Sequence, residues 1–95
     1  MYGIAFEWDP DKDRANQGKH GVGSAEASTV FGDPLSIAIP DPDHSAEEER
    51  FVIIGMSGQS RLLIVVHTVR RESIRLISAR MVTKHERLKY EETSG

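Results

Sequence analysis

Residues 50–81 read RFVIIGMSGQSRLLIVVHTVRRESIRLISARM, three apolar runs divided by two short polar breaks. The runs cover 50–56, 61–69 and 74–81, and they are rich in Val and Ile. Such residues suit a pleated, half-buried surface. The breaks at 57–60 and 70–73 are short enough to join antiparallel neighbours. This stretch predicts a three-stranded meander, and the rest of the chain must pack against it.

Upstream, residues 4–8 form a short strand candidate. Asp9-Pro10 then announces a helix, because Asp is a good N-cap and Pro lacks the N–H that would be orphaned at the first helical position. The helix runs through Lys19 and stops at Gly21, a natural left-handed terminator. Ala15 stands nearly alone on its apolar face, and Gly18 weakens it by about 1 kcal/mol. It must therefore lean on the rest of the fold or on a partner. Ser24 caps a second helix over 25–31, with Glu26 in its first turn and Ala27, Val30 and Phe31 on its buried side. Gly32-Asp33-Pro34 ends it. Residues 35–39 make a further strand, and the prolines in Pro40-Asp41-Pro42-Asp43 suit an edge. Residues 44–49 are polar and read as a loop. Downstream, 83–92 forms a last helix, and 93–95 should fray.

The expected order is β-α-α-β-β-β-β-α, an α+β domain with an antiparallel sheet. Helices would cover one face and leave the other partly open, as a groove for an extended polyanion. Ninety-five residues leave room for a single domain spanning 1–95. There is no cysteine, so disulfides and thiolate metal sites are excluded. The N-terminal residues lack a basic region followed by an apolar run, and no apolar stretch approaches a membrane span. A cytoplasmic protein that makes no membrane contact is expected.

The net charge of −3 argues against a nucleic-acid partner, but its distribution does not. Residues 1–50 hold 4 Lys/Arg against 11 Asp/Glu, whereas residues 51–95 hold 8 against 4. A polyanion responds to the local field of a basic face rather than to the sum.

Alternation along 74–81 puts Ile74, Leu76, Ser78 and Arg80 on one face, and Arg75, Ile77, Ala79 and Met81 on the other. Arg75 reads as a solvated residue near a turn. Arg80 ends its strand beside a helix start, where a guanidinium can hold phosphate with paired hydrogen bonds or pair with Glu86. Thr83 and Glu86 fit a capping box. Tyr90 lies four residues on and shares the face of Glu86. It could donate a proton, stack on a base, or simply pack. His20 suits a helix C-terminus, and His67, beside an apolar run, suits a packed core position. His44 and His85 should be exposed. No histidine pair has metal-ligand spacing, so no metal site is expected.

RNA cleavage requires a proton taken from the 2′-hydroxyl, a clamp for the phosphate charge, and a proton given to the leaving 5′-oxygen. Lys19, His20, Arg50, His67, Arg80, Glu86 and Tyr90 include every chemical type needed. Any domain of this size contains such residues, so the types alone decide nothing.

The order of motifs is more specific. Phe6-Glu7-Trp8-Asp9-Pro10, Lys12, Asn16 and Lys19-His20-Gly21-Val22 open the set. Glu49-Arg50, Gly55, the run 63–68, the run 75–80, Glu86-Arg87 and Tyr90 continue it. Together they resemble the BrnT toxins of bacterial type II toxin–antitoxin pairs, from Ala5 to about Tyr90. That resemblance implies a fold similar to the RelE ribonucleases, with two N-terminal helices on an antiparallel sheet. It implies RNA cleavage that arrests translation, with neither a metal nor another cofactor. It also implies neutralisation by a small DNA-binding antitoxin, in a heterotetramer or larger complex that contacts operator DNA through the antitoxin.

Carried over, the site residues are Lys19, His20, Arg50, His67, Arg80, Glu86 and Tyr90. Arg50 and Arg80 would hold phosphate, His20 or His67 would exchange protons, and Lys19 would assist through its charge. Gly23-Ser24 departs from the larger apolar residue the family often has there, which bears on the packing of helix 2. The alternatives are a non-catalytic protein-interaction module of the same fold, and a nucleic-acid-binding module that does not cut.

Overall fold

The computed structural model describes residues 4–41 and 49–94. His44 and most of the expected loop over 44–49 lie outside the described residues. The elements are β1 (Ala5–Glu7), α1 (Pro10–His20), α2 (Ser24–Thr29), a 3-10 turn (Val30–Gly32), β2 (Ile37–Pro40), β3 (Phe51–Met56), β4 (Leu62–Val69), β5 (Ser73–Met81) and α3 (Lys84–Ser94).

The meander forms as expected, and β2 takes an edge. The sheet order is β1-β5-β4-β3-β2. The expectation of a wholly antiparallel sheet is corrected, because β1 pairs with β5 in parallel, Ala5 opposite Ser73 and Glu7 opposite Arg75. The two strands lie at opposite ends of the chain, so no hairpin constrains their direction. The sheet is mixed.

The strict alternation expected along 74–81 is also corrected. Val66 pairs with Ser78, but the next residue, His67, pairs with Leu76, so Ile77 is inserted as a β-bulge. One extra residue reverses the pleat for everything after it. Leu76 and Ala79 therefore belong to the same core, three residues apart. That core packs Val22, Ala27 and Val30 from the helical segment against Ile53, Leu63, Val65, Leu76 and Ala79 of the sheet. Gly55 permits the close approach of the 3-10 turn: a Cβ there would lie 2.9 Å from Val30 Cγ1 and 3.0 Å from Ser36 Cβ.

α1 starts and stops where the sequence placed it. Asp9 Oδ1 accepts from the N–H of Asp11 at 2.8 Å, and Gly21 closes the helix in the left-handed region at φ 70°. No residue of α1 is buried. It docks through Asn16, whose Nδ2 donates to the carbonyls of Val22 at 2.8 Å and Ala79 at 2.7 Å, while Oδ1 accepts from the N–H of Ala79 at 3.4 Å. This side-chain amide pairs with β5 beyond the end of β1, where a further strand residue would otherwise sit. A polar clamp thus does the work the thin apolar face could not.

α2 departs from the expected 25–31. Gly23 is its N-cap, and Ser24 makes no side-chain cap. The N–H of Ser24 donates instead to Asp13 Oδ1 of α1 at 2.6 Å. Glu26, expected only to favour the helix dipole, is buried. It accepts from Ser57 Oγ at 2.7 Å and Arg61 Nε at 2.9 Å, and Arg61 also donates to the carbonyl of Gly21 at 3.0 Å. One carboxylate thereby ties α2 to the β3–β4 turn, and through Arg61 to the end of α1.

Candidate active site

The sheet has one face under α2 and the 3-10 turn, and another that carries a groove of about 440 Å³. The floor of that groove is Val52, Ile64, Val66 and Ile77, and its polar wall is His20, Asp41, Arg50, Ser78 and Arg80. The bulge at Ile77 is what turns Ser78 and Arg80 into it.

Three of the expected site residues therefore meet: His20, Arg50 and Arg80. His20 arrives as the last residue of α1, held over β5 by the Asn16 clamp. Arg50 immediately precedes β3, and its backbone is fixed from both sides. The N–H of Asp41 donates to the Arg50 carbonyl at 2.8 Å, and Thr68 Oγ1 donates to the Glu49 carbonyl at 2.7 Å. Arg50 Nε is buried and has no hydrogen-bond partner among the described residues. A buried donor left without a bond costs about 1–3 kcal/mol.

Arg80 is already engaged. Its Nη1 and Nη2 donate to the two Glu86 carboxylate oxygens, each at 2.8 Å, and Nη1 also reaches the Met81 carbonyl at 3.1 Å. Among the described residues Nε and one Nη2 hydrogen have no acceptor. Glu86 meanwhile closes the capping box: Thr83 N–H donates to Glu86 Oε1 at 2.8 Å, and Glu86 N–H donates to Thr83 Oγ1 at 3.2 Å. The two readings offered for Glu86 coexist. The bonds from Arg80, outweighing burial and helped by the Thr83 N–H, hold the Glu86 carboxyl at about 2. The same pairing raises Arg80 above its ordinary value.

The other candidates lie elsewhere. His67 is buried on the helix-covered side, its ring 4.8 Å from that of Phe31 and 5.9 Å from that of Phe51. Burial pushes its imidazole below the ordinary value, against the opposing effect of the Val65 carbonyl. Tyr90 is buried, and its hydroxyl donates to Asp33 Oδ2 at 2.6 Å. Asp33 also accepts from the N–H of Met56 at 2.8 Å and of Leu35 at 2.9 Å. Burial raises its carboxyl, but these bonds together leave it below the ordinary value. Lys19 is exposed and is not part of the groove wall. His85 is exposed, as expected.

The sequence places Asp41 in a Pro-Asp-Pro-Asp segment with no role at a site, whereas it is buried and continues the β2–β3 ladder opposite Arg50. Only the register, Pro40 opposite Phe51, reveals that neighbour. Among the described residues no group of three His, Cys, Asp or Glu is placed to hold a metal ion. No helix among them is long and apolar enough to cross a membrane.

Residues 8–86 match the family described as ribonuclease toxin, BrnT, of type II toxin–antitoxin system. Among solved structures, the fold is similar to the crystal structure of the Brucella abortus ribonuclease toxin BrnT. The TM-score is 0.67 at 19% identity, over 86% of this chain and 100% of that chain. At such identity the likeness speaks for the fold. No protein with a curated description matches the chain.

Proposed function

The chain belongs to the BrnT family of ribonuclease toxins of type II toxin–antitoxin systems, and on that premise we propose that it cleaves RNA in the groove on the open face of its sheet. The observation that carries this reading is Arg50, whose buried Nε has no partner among the described residues, in a groove shared with His20 and Arg80. An RNA phosphate has the charge and the acceptor atoms to complete that donor. The apolar floor suits a ribose or the face of a base.

In this reading Arg50 and Arg80 hold the phosphate and offset the charge that develops in the transition state. Glu86 aims Arg80 by holding two of its nitrogens. His20 takes the proton of the ribose 2′-hydroxyl. The freed oxygen attacks phosphorus, the bond from phosphorus to the 5′-oxygen breaks, and water in the open groove protonates the leaving oxygen. The products are a 2′,3′-cyclic phosphate and a 5′-hydroxyl. Lys19, exposed beside His20, adds positive charge near the groove. The burial of His67 away from the groove favours His20 over it as the proton carrier, and Tyr90 is left to pack α3 through Asp33.

Cleavage without a metal, arrest of translation, and neutralisation in the cytoplasm by a small DNA-binding antitoxin complete the proposal. Expression of the chain alone should stop growth, and the purified protein should cut total RNA in the presence of EDTA. Arg80→Ala and His20→Ala should each relieve the arrest while circular dichroism still reports a folded protein. Full toxicity in both variants counts against the site. The half-exposed Ile39 on edge strand β2 favours a second reading, a module that binds its antitoxin and does not cut. Capture of the small neighbouring protein together with intact RNA would favour that reading.

A further inference from the structure

A second, smaller groove of about 110 Å³ adjoins the first and shares Arg50 and Ile77 with it. Its other walls are Asp9, Lys12, Arg70, Arg75 and Leu76. Four cations thus face one carboxylate, in a wall that is mostly polar. The larger groove differs, with an apolar floor beneath its charges. Glu7 stands behind the arginines, with Oε1 3.4 Å from Arg70 Nε and 3.3 Å from Arg75 Nη1. At these lengths the acid orients both guanidinium groups loosely and leaves most of their N–H donors available. Lys12 reaches the same place from α1, so three separate elements converge on it.

We propose that this second groove is a phosphate subsite for the RNA strand, joined through Arg50 to the site of cleavage. The inference rests on the functional reading above and extends it. RNA lies across the open face as a single strand, with one nucleotide over Val52, Ile64 and Val66 and a neighbouring phosphate among Lys12, Arg70 and Arg75. Arg50, common to both grooves, sits between the two phosphates. Two subsites in line select an extended strand, because a paired helix presents its phosphates on a wide, rigid surface that the narrow second groove does not follow.

Binding of a 2′-O-methyl RNA decamer, which cannot be cut, tests this across about 50 to 200 mM salt. Wild type, Arg70→Ala, Lys12→Ala and, as a control, Lys84→Ala on the exposed start of α3 are compared, each checked by thermal melting. Wild type should bind. Arg70→Ala and Lys12→Ala should each weaken binding several-fold at low salt and flatten the plot of log affinity against log salt by about 0.7. Lys84→Ala should do neither. If wild type binds while Arg70→Ala and Lys12→Ala keep its affinity and slope, the second subsite is wrong and the cleavage groove stands. Equal losses in all three variants mean diffuse surface charge, which also overturns the subsite. A wild type that binds no RNA overturns the functional reading and the subsite together.

Discussion

The two faces of the sheet use the same residue types for opposite ends. On the covered face His67 sits between Phe31 and Phe51, is buried, and has its imidazole pushed below the ordinary value by that burial. On the open face His20 lines a groove with two arginines, one of which has a buried nitrogen without a partner among the described residues. The contrast teaches that burial alone does not mark a catalytic group. Packed polar side chains here have their bonds made, as Glu26 has with Ser57 and Arg61. Arg50 Nε has none among the described residues, and a buried donor without a bond on a groove-lining residue calls for an explanation.

The largest expected effect tests the open face. His20→Ala should lower RNA cleavage by about 10²- to 10⁴-fold, the range of general acid–base catalysis, with melting unchanged. A comparable rate in the variant would put the proton transfer elsewhere.

On the covered face the expected losses are of stability. Gly55→Ala forces a Cβ against Val30 and Ser36 and should cost about 1–3 kcal/mol by denaturant unfolding. A neutral result would mean that the 3-10 turn shifts freely.

Glu86 joins the two kinds of role, and Glu86→Gln should cost up to about 1 kcal/mol, since the pair is partly open to solvent. The pH dependence has a definite sign. The folded value of about 2 lies below the ordinary 4.5, so the stabilisation is complete above pH 4.5 and lost as pH falls toward 2. The variant should flatten the acid unfolding curve in that window. A curve that falls as steeply as that of wild type would show the Arg80–Glu86 pair to be inert.

His67→Phe should have the smallest effect on activity, leaving cleavage within a few fold of wild type. Burial holds the His67 imidazole below the ordinary 6.5, so unfolding takes up a proton as pH drops below 6.5. Stability present above that value should decline under acid in wild type, and decline less in the variant. This is read from melting temperature against pH.

What was legible in the sequence was what local chemistry decides. The Asp9-Pro10 start, the Gly21 stop and the Thr83–Glu86 box each depend on residues within a few positions of one another, and each formed. The meander was legible for the same reason. The parallel β1, the Asn16 clamp across to Ala79 and the Asp41–Arg50 neighbourhood depend on pairs distant in sequence, and no local pattern encodes them. The bulge at Ile77 mattered most. Strict alternation would have put Leu76 and Arg80 on one face, whereas the extra residue sends Leu76 into the core and Arg80 into the groove. His20, Arg50 and Arg80 could be singled out by type, but only the bulge and the register bring them together.

Whether the chemistry belongs to the open face is decided by the cleavage rate of a single-stranded RNA by purified Arg50→Ala and His67→Phe, measured side by side with wild type. Arg50→Ala should lose about 10²- to 10³-fold, as when a transition-state clamp is removed, while His67→Phe stays close to wild type. Near-normal cleavage by Arg50→Ala, with His67→Phe inactive yet folded, would contradict it.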